Sequence, residues 1–424
     1  MKLKTLLLSS AAAFAVVGGA QAADLSIAEP VDYVKVCDAF GAGYWYIPGT
    51  DTCLKIGGYV QFDVNFHDES TTLKDNSSVT VPIGGVGAFS YHLPRNHQAG
   101  WDMGTEASVT ATAKSMTEFG PLTGFIDIRA KSNNSQAGPY LGVGYPSGGL
   151  VAGAYTLTNG YQSTDKNAYI DSAYLELGML LAGRTGSVYD YGGGFTFDGS
   201  SYDSDASADQ IRLTWAMSGF GIQLAIEDPR DRWGTGLAAS YSMPNIVGNV
   251  SMSQGNWDWK LSGGFAETYA GSGFGAQLGV TVMLDQIAPG DRLRLKAAWA
   301  QNEVASFAAS TDGSTSGEVG VSPLAGGSTW SLLASFQHFW IPTLSSAITF
   351  DYVNQGAGTA PAYTSGVFTQ PAAAGGGFNQ YSIYGNLVWS PVTNFLAGGE
   401  VGYKKASTAA KGTWTAKIRL KRSW

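Results

Sequence analysis

Polarity alternates residue by residue over the last stretch of the chain. From Gly412 onward, Trp414, Ala416, Ile418, Leu420, Arg422 and Trp424 form one set. Thr413, Thr415, Lys417, Arg419, Lys421 and Ser423 form the other. Strand side chains point alternately to two faces, so the pattern predicts a strand with one apolar and one basic face. Its final residue is an aromatic, where chain ends usually fray, and it is expected to be held in place. A strand that is apolar outward and polar inward is what a membrane barrel needs, and an end-placed Trp suits a bilayer interface.

The alternation returns along the chain. Ile56, Val60, Phe62, Val64 and Phe66 oppose Lys55, Tyr59, Gln61, Asp63 and Asn65. Ala107, Val109, Ala111 and Ala113 oppose Glu106, Thr110, Thr112 and Lys114; Leu122, Ile126, Ile128 and Ala130 oppose Asp127, Arg129 and Lys131. Ala173, Leu175, Leu177 and Met179 oppose Tyr174 and Glu176. Ile211, Leu213, Trp215 and Met217 oppose Arg212 and Thr214, and a turn at Gly219–Gly221 leads into a partner strand through Ile226, which predicts a hairpin. Leu293, Leu295, Ala297 and Trp299 oppose Arg292, Arg294 and Lys296. Two further strands are predicted around Tyr381–Trp389 and Phe395–Lys404. Short turns alternate with long Gly/Ser/Thr/Ala loops at 67–100, 306–328 and 356–377. A soluble β-sandwich would also alternate in polarity, but it needs no such rhythm of loop lengths.

Composition narrows the class. Charged residues make up 14% of the chain, against roughly 25% in ordinary soluble domains. The 57 Gly and many aromatics suit β-structure rich in turns. Residues 1–22 carry the marks of a secretory leader: Lys2 and Lys4, an apolar run from Leu6 to Val17, and Ala20-Gln21-Ala22 at the cleavage position. Loss of the two lysines takes the net charge from -8 to -10, which favours cations at the protein surface. No later stretch reaches the ~18–20 continuous apolar residues of a membrane helix, so a membrane role requires a closed barrel. At roughly 10 residues per tilted strand, the chain after the leader allows about 16 strands, enough for a wet lumen. The predicted fold is therefore all-β, a transmembrane antiparallel barrel. Residues 23–52 form a periplasmic lead-in before the barrel of 53–424. Cys37 and Cys53, in an exported chain and not spaced as Cys-x-x-Cys, are expected to form a disulfide.

Catalytic patterns are missing from the sequence. His67, His92, His97 and His338 are scattered and form no His-Glu-x-x-His pair. No Gly-x-Ser-x-Gly elbow lies on a strand-to-helix pattern. Gly271-Ser-Gly-Phe-Gly275 lacks the following helix of a dinucleotide site. No basic, aromatic patch suggests nucleic acid. The chain is expected to be no enzyme and to carry no cofactor and no metal. A receptor with an N-terminal plug would need about 22 strands and a longer lead-in. The competing function is an outer-membrane barrel acting mainly as an adhesin or a lipid-facing enzyme.

The stretch Val36-Cys-Asp-Ala-Phe-Gly-Ala-Gly-Tyr-Trp-Tyr-Ile-Pro-Gly-Thr-Asp-Thr-Cys-Leu-Lys-Ile-Gly-Gly-Tyr-Val60 resembles the N-terminal signature of alphaproteobacterial outer-membrane porins. Tyr174-Leu-Glu-Leu-Gly178, Leu181-Ala-Gly-Arg-Thr-Gly-Ser187 and the aromatic C-terminus are similar to the same family. The resemblance implies a 16-stranded general diffusion porin in the outer membrane of a Gram-negative cell. It implies a homotrimer among outer-membrane lipids, passing ions and small hydrophilic solutes. It also implies that Trp424 is an assembly signal read by the barrel assembly machinery. Finally, it places a constriction loop inside the lumen after Arg184-Thr-Gly-Ser187, at Val188–Asp205. Asp190, Asp198, Asp203 and Asp205 of that loop are expected to face an inward basic wall of Arg129, Lys131, Arg184, Arg212, Arg292, Arg294, Lys296, Lys417, Arg419 and Lys421. Opposed charge at a narrow point tunes ion selectivity.

Overall fold

The computed structural model describes residues 35–67, 78–83, 87–92, 101–133, 140–142, 158–160, 168–198, 204–233, 243–268, 271–302, 304–309, 326–359, 362–364, 367–369, 374–375, 377–409 and 411–424. The leader and Asp203 lie outside them. Two units are distinguished, 1–53 and 54–424. In the first, Cys37 and Cys53 form the expected disulfide, with Cα atoms 6.0 Å apart. The chain folds back between them: Cys37 N donates to Tyr44 O at 3.0 Å and Tyr46 N to Lys35 O at 2.9 Å.

The remainder is a closed antiparallel barrel of 16 strands. They are β1 (Cys53–His67), β2 (Trp101–Thr117), β3 (Gly120–Asn133), β4 (Ala168–Leu177), β5 (Leu180–Gly186), β6 (Ser207–Met217), β7 (Phe220–Glu227) and β8 (Asn245–Gln254). Then follow β9 (Trp257–Thr268), β10 (Gly271–Met283), β11 (Arg292–Gln301), β12 (Ser328–Ile341), β13 (Leu344–Gln355), β14 (Phe378–Trp389), β15 (Phe395–Ala406) and β16 (Thr413–Ser423). Each strand pairs with the next in sequence, and β1 closes the ring by pairing with β16, Val64 opposite Ile418. Closure leaves no strand edge unpaired in lipid.

The pleat sorts the side chains as the alternation predicts, with the usual burial reversed. Leu175, Leu261, Leu295, Leu387 and Ile418 are exposed on the outside, where lipid replaces water. Inward neighbours such as Gln277, Thr349, Ser382 and Lys404 are buried. Exposed Trp257, Trp340, Trp389 and Trp424 stand at the short-turn end, and Trp101, Trp299, Trp330 and Trp414 nearer the long-loop end. Half-wet rings in two belts mark the two interfaces. The turn between β6 and β7 differs slightly from expectation. Ser218 and Gly219 take the positive φ values, 49° and 89°, and Phe220 already belongs to β7. Two consecutive positive φ values match the strand twist of a two-residue hairpin. Met179, expected in β4, lies in the next turn.

At the seam, Trp424 N donates to Gly58 O at 3.1 Å, so the final residue continues the ladder. A side chain at Gly58 would run into the Ser108 carbonyl of β2, so only glycine lets three strands meet there. The loop after β1, expected to be extended, contains a hairpin of Ser78–Ile83 with Gly87–His92. Val79, Val81 and Ile83 share one face, against Ser78, Thr80 and Pro82 on the other, and this period of two is the local cause.

Candidate functional site

Register decides which inward side chains share a level. One row runs Asp258, Thr281, Arg294, Ser335 and Thr349 across β9 to β13. Another runs Arg292, Gln337, Ala347, Asn386, Glu400 and Lys417 across β11 to β16. These rows form a polar band around the inner wall.

The segment after β5 lies along that band. Its neck is closed by Ser187 N donating to Ala206 O and by Ala206 N donating to the Asp190 carboxylate, each at 2.8 Å. It then crosses the wall strand by strand. Asn249 of β8 donates to Val188 O at 2.6 Å, and Lys260 of β9 to Asp190 O at 2.8 Å. The Tyr191 hydroxyl donates to Asp258 and lies 2.7 Å from Thr281 Oγ1 of β10. Arg294 of β11 donates to Gly193 O at 2.6 Å. Phe195 N donates to Ser335 Oγ of β12 at 2.9 Å, Thr196 to Thr349 of β13 at 2.8 Å, and Asn386 of β14 to Phe195 O at 3.2 Å. The Phe197 and Asp198 N–H groups both donate to Glu400 of β15, and Asp198 pairs with Lys417 of β16. The segment is thus stitched to every strand from β8 to β16.

The local sequence permits this close approach. Gly192-Gly-Gly194 carries no side chains that would hold the backbone off the wall. On the wall, a Cβ at Gly279 would overlap the Tyr191 ring, and one at Gly398 would sit 2.7 Å from Phe197. The Tyr191 phenol is pushed up to about 12, first by burial and then by its bond to Asp258, so it stays a donor at neutral pH.

The expected charges are placed differently in several cases. Asp190 does not face the basic wall across open lumen. It closes the neck and lies 3.4 Å from Arg232. Asp198 is held by Lys417, and Asp205 is exposed beyond the stitched stretch. Arg184 is on the outward face: it pairs in register with Asp209 and Ala173, and its ion pairs are with Asp231 at 2.7 Å and Asp209 at 3.6 Å. The alternation Leu180, Ala182, Arg184 contains this result, since Leu180 is exposed and Leu181 buried. Lys296 faces inward but is only 4% exposed, so it is not a charge at the water surface.

Arg129, Lys131, Arg212, Arg292, Arg294, Lys417, Arg419 and Lys421 do face inward. Near the seam they are neutralised locally. Arg129 bridges Asp127 at 2.9 Å and Asp171 at 2.8 Å, and Lys131 pairs with Glu106 at 3.0 Å. Arg419 grips Asp63 with two bonds of 2.8 and 2.7 Å, and Lys421 covers the Tyr59 ring at 3.7 Å.

A second inward segment has no counterpart in the sequence reading. Residues 304–309, which run into the long loop expected at 306–328, are buried, with Phe307 and Ala309 both 0% exposed. Phe307 occupies a notch formed by Gly264 and Gly275, and Ser331 of β12 donates to Ala308 O. The apolar run Val304-Ala-Ser-Phe-Ala-Ala309 in a polar loop is the signal that could have revealed it. Helix α1 (Pro229–Trp233) supplies Arg232, which lies under both segments. Its guanidinium is 4.9 Å from the Phe307 ring centre and 5.5 Å from that of Tyr189, and it donates to Ser204 O at 2.9 Å. Burial works against the Arg232 charge, but Asp190 and Glu227 outweigh it and raise its pKa. Burial likewise raises the Tyr189 phenol pKa. Among the described residues, no group of His, Cys, Asp and Glu is arranged to hold a metal ion.

A family model described as "Porin subfamily" matches residues 24–422. Porin Omp2b of Brucella canis is 31% identical over 270 residues, covering 61% of this chain and 64% of that protein. Porin Omp2a of Brucella abortus is 32% identical over 284 residues, covering 62% of this chain and 78% of that protein. An outer membrane protein of Sinorhizobium fredii is 37% identical over 195 residues, 45% of either chain. The chain therefore spans less than two thirds of the length of the Sinorhizobium protein and of Omp2b. The outer membrane channel DcaP of Acinetobacter baumannii superposes with a TM-score of 0.56 at 12% identity, covering 89% of this chain and 99% of DcaP, which is a likeness of fold.

Proposed function

The chain belongs to the porin family of outer-membrane β-barrels, and from that premise we propose that it forms a water-filled channel for passive diffusion of ions and small hydrophilic solutes. One observation carries this reading: a 16-strand ring, wide enough for water, has a segment bonded along its inner wall from β8 to β16. A barrel serving only as a platform for adhesion needs no such inner belt. Residues 187–198 narrow the passage, and Arg292, Arg294, Arg419 and Lys421 line it together with the acids that partner the seam bases. The working unit is a homotrimer, as oligomers are mostly closed and symmetric. Trp424, bonded into the closing seam, is the residue read during assembly.

Purified, folded protein is added to a planar bilayer in KCl. Large, steady conductance steps that scale with bulk salt are expected. Folded protein that inserts and gives no steps would overturn the channel reading and favour the adhesin or enzyme alternative.

A further inference from the structure

Arg292 and Arg294 differ from the other inward cations in their surroundings. Arg129, Lys131, Lys417 and Arg419 each contact a carboxylate. Lys421 has Glu106 and Asp63 in its surroundings, and Arg212 has Glu176. Arg292 donates to the neutral Gln337 at 2.8 Å, and its charged neighbour is the like-charged Arg294. Arg294 donates to Thr281 at 3.1 Å and to the Gly193 carbonyl. Among the described residues neither reaches a carboxylate within ion-pair distance. The nearest acid along the row is Asp258, two strands away and occupied by the Tyr191 hydroxyl.

Both guanidinium carbons lie over one ring of the belt, 4.3 Å and 4.8 Å from the centre of Phe195. They are therefore within about 9 Å of each other, and the Tyr191 ring is 5.3 Å from Arg294. The rings and the Gly193 carbonyl hold the two side chains in place beforehand, so little rotamer freedom remains to be lost on binding. Both side chains remain half-buried rather than sealed. Two preset guanidiniums without a counter-ion match small oxyanions, because planar N–H forks pair with phosphate and carboxylate oxygens.

We propose that Arg292 and Arg294, held on Phe195, form a binding site for small oxyanions, phosphate or carboxylate, on the wall of the lumen. Transit of such anions is then saturable, although the chain as a whole is acidic. The transport consequence rests on the diffusion-channel reading; the binding site does not.

The experiment has two arms. In the first, folded detergent-solubilised protein is titrated calorimetrically with inorganic phosphate at pH 7 and ~0.1 M salt, where screening reaches only ~10 Å. One site per chain is expected. Arg292→Gln, Arg294→Gln and the double variant should weaken phosphate binding tenfold or more. Arg184→Gln removes the same charge outside the lumen and should leave it unchanged. In the second arm, phosphate added to single channels in KCl should reduce the chloride current with saturation, half-maximal near the calorimetric constant. The reduction should be lost in the double variant. Arg292→Gln alone retains the Arg294 bond to the belt, so it separates loss of the site from loss of folding. No phosphate binding to the folded parent protein, or equal binding by the variants, overturns the site. Binding without any conductance would instead refute the channel and leave the site standing.

Discussion

The far end of the belt depends on one carboxylate, and removing it is the most direct test of the arrangement. Glu400 accepts from the N–H groups of Phe197 and Asp198, and its side chain is nearly sealed, with the residue 4% exposed. Leaving a buried N–H without its acceptor costs about 1–3 kcal/mol per donor. Glu400→Ala frees two N–H groups beside a wet lumen, where water recovers part of the loss, so a total of about 2–4 kcal/mol is the expected cost. At about 1.4 kcal/mol per tenfold, the detached population of residues 195–198 rises by roughly 30- to 700-fold. Amide hydrogen exchange at Phe197 and Asp198 should accelerate by that factor, while amides within β15 and β16 change little. Single-channel records should show added current noise from the moving segment. Glu400→Gln keeps one acceptor oxygen near the same place and should fall between the two. If Phe197 and Asp198 exchange at the parent rate in Glu400→Ala, Glu400 does not hold the belt and the stitched path along the wall is wrong.

Three other substitutions probe separate joints. Arg232→Met leaves Asp190 and Glu227 without their buried cation and should cost about 3–5 kcal/mol, read as a lower denaturant midpoint of the folded barrel; an unchanged midpoint would remove Arg232 from the account of the joint. Gly275→Val places a side chain where Phe307 lies, which should expel residues 304–309 and open that buried stretch to protease in the folded protein; resistance equal to the parent would show that the notch is not needed. Asp291 resists the effect of burial through bonds to His338 and Phe339 N–H at 2.8 Å, and its pKa is held below the ordinary carboxylate value. Its contribution is therefore present above the unfolded pKa near ~3.9 and lost as pH falls through the lower folded value. Thermal stability of the parent should drop more steeply than that of Asp291→Asn between pH 5 and the acid limit, and parallel curves would contradict the linkage.

The lipid-facing and lumen-facing sets of β1 to β4, β6, β7, β11 and β14 to β16 were legible in the sequence, because the pleat has a period of two and lipid demands an apolar exterior. The strand count and the disulfide followed from length and compartment. Arg184 shows that the same rule corrects itself: reading Leu180, Ala182 and Arg184 as one face puts the arginine outside, where it pairs with Asp209 and Asp231. Alternation says nothing about which distant strands lie at one level. That level is set by register around the closed ring, and it brings Asp258, Arg294, Ser335 and Thr349 under a single segment that begins at Ser187. Asp190 looked like a free pore charge because its partner, Arg232, is 42 residues away and reaches it only through tertiary packing. Phe307 looked like loop because its notch, Gly264 and Gly275, belongs to two other strands. Local periodicity determined the wall of this protein. The lining of the passage was decided by contacts between residues far apart in sequence, whose geometry exists only once the barrel has closed.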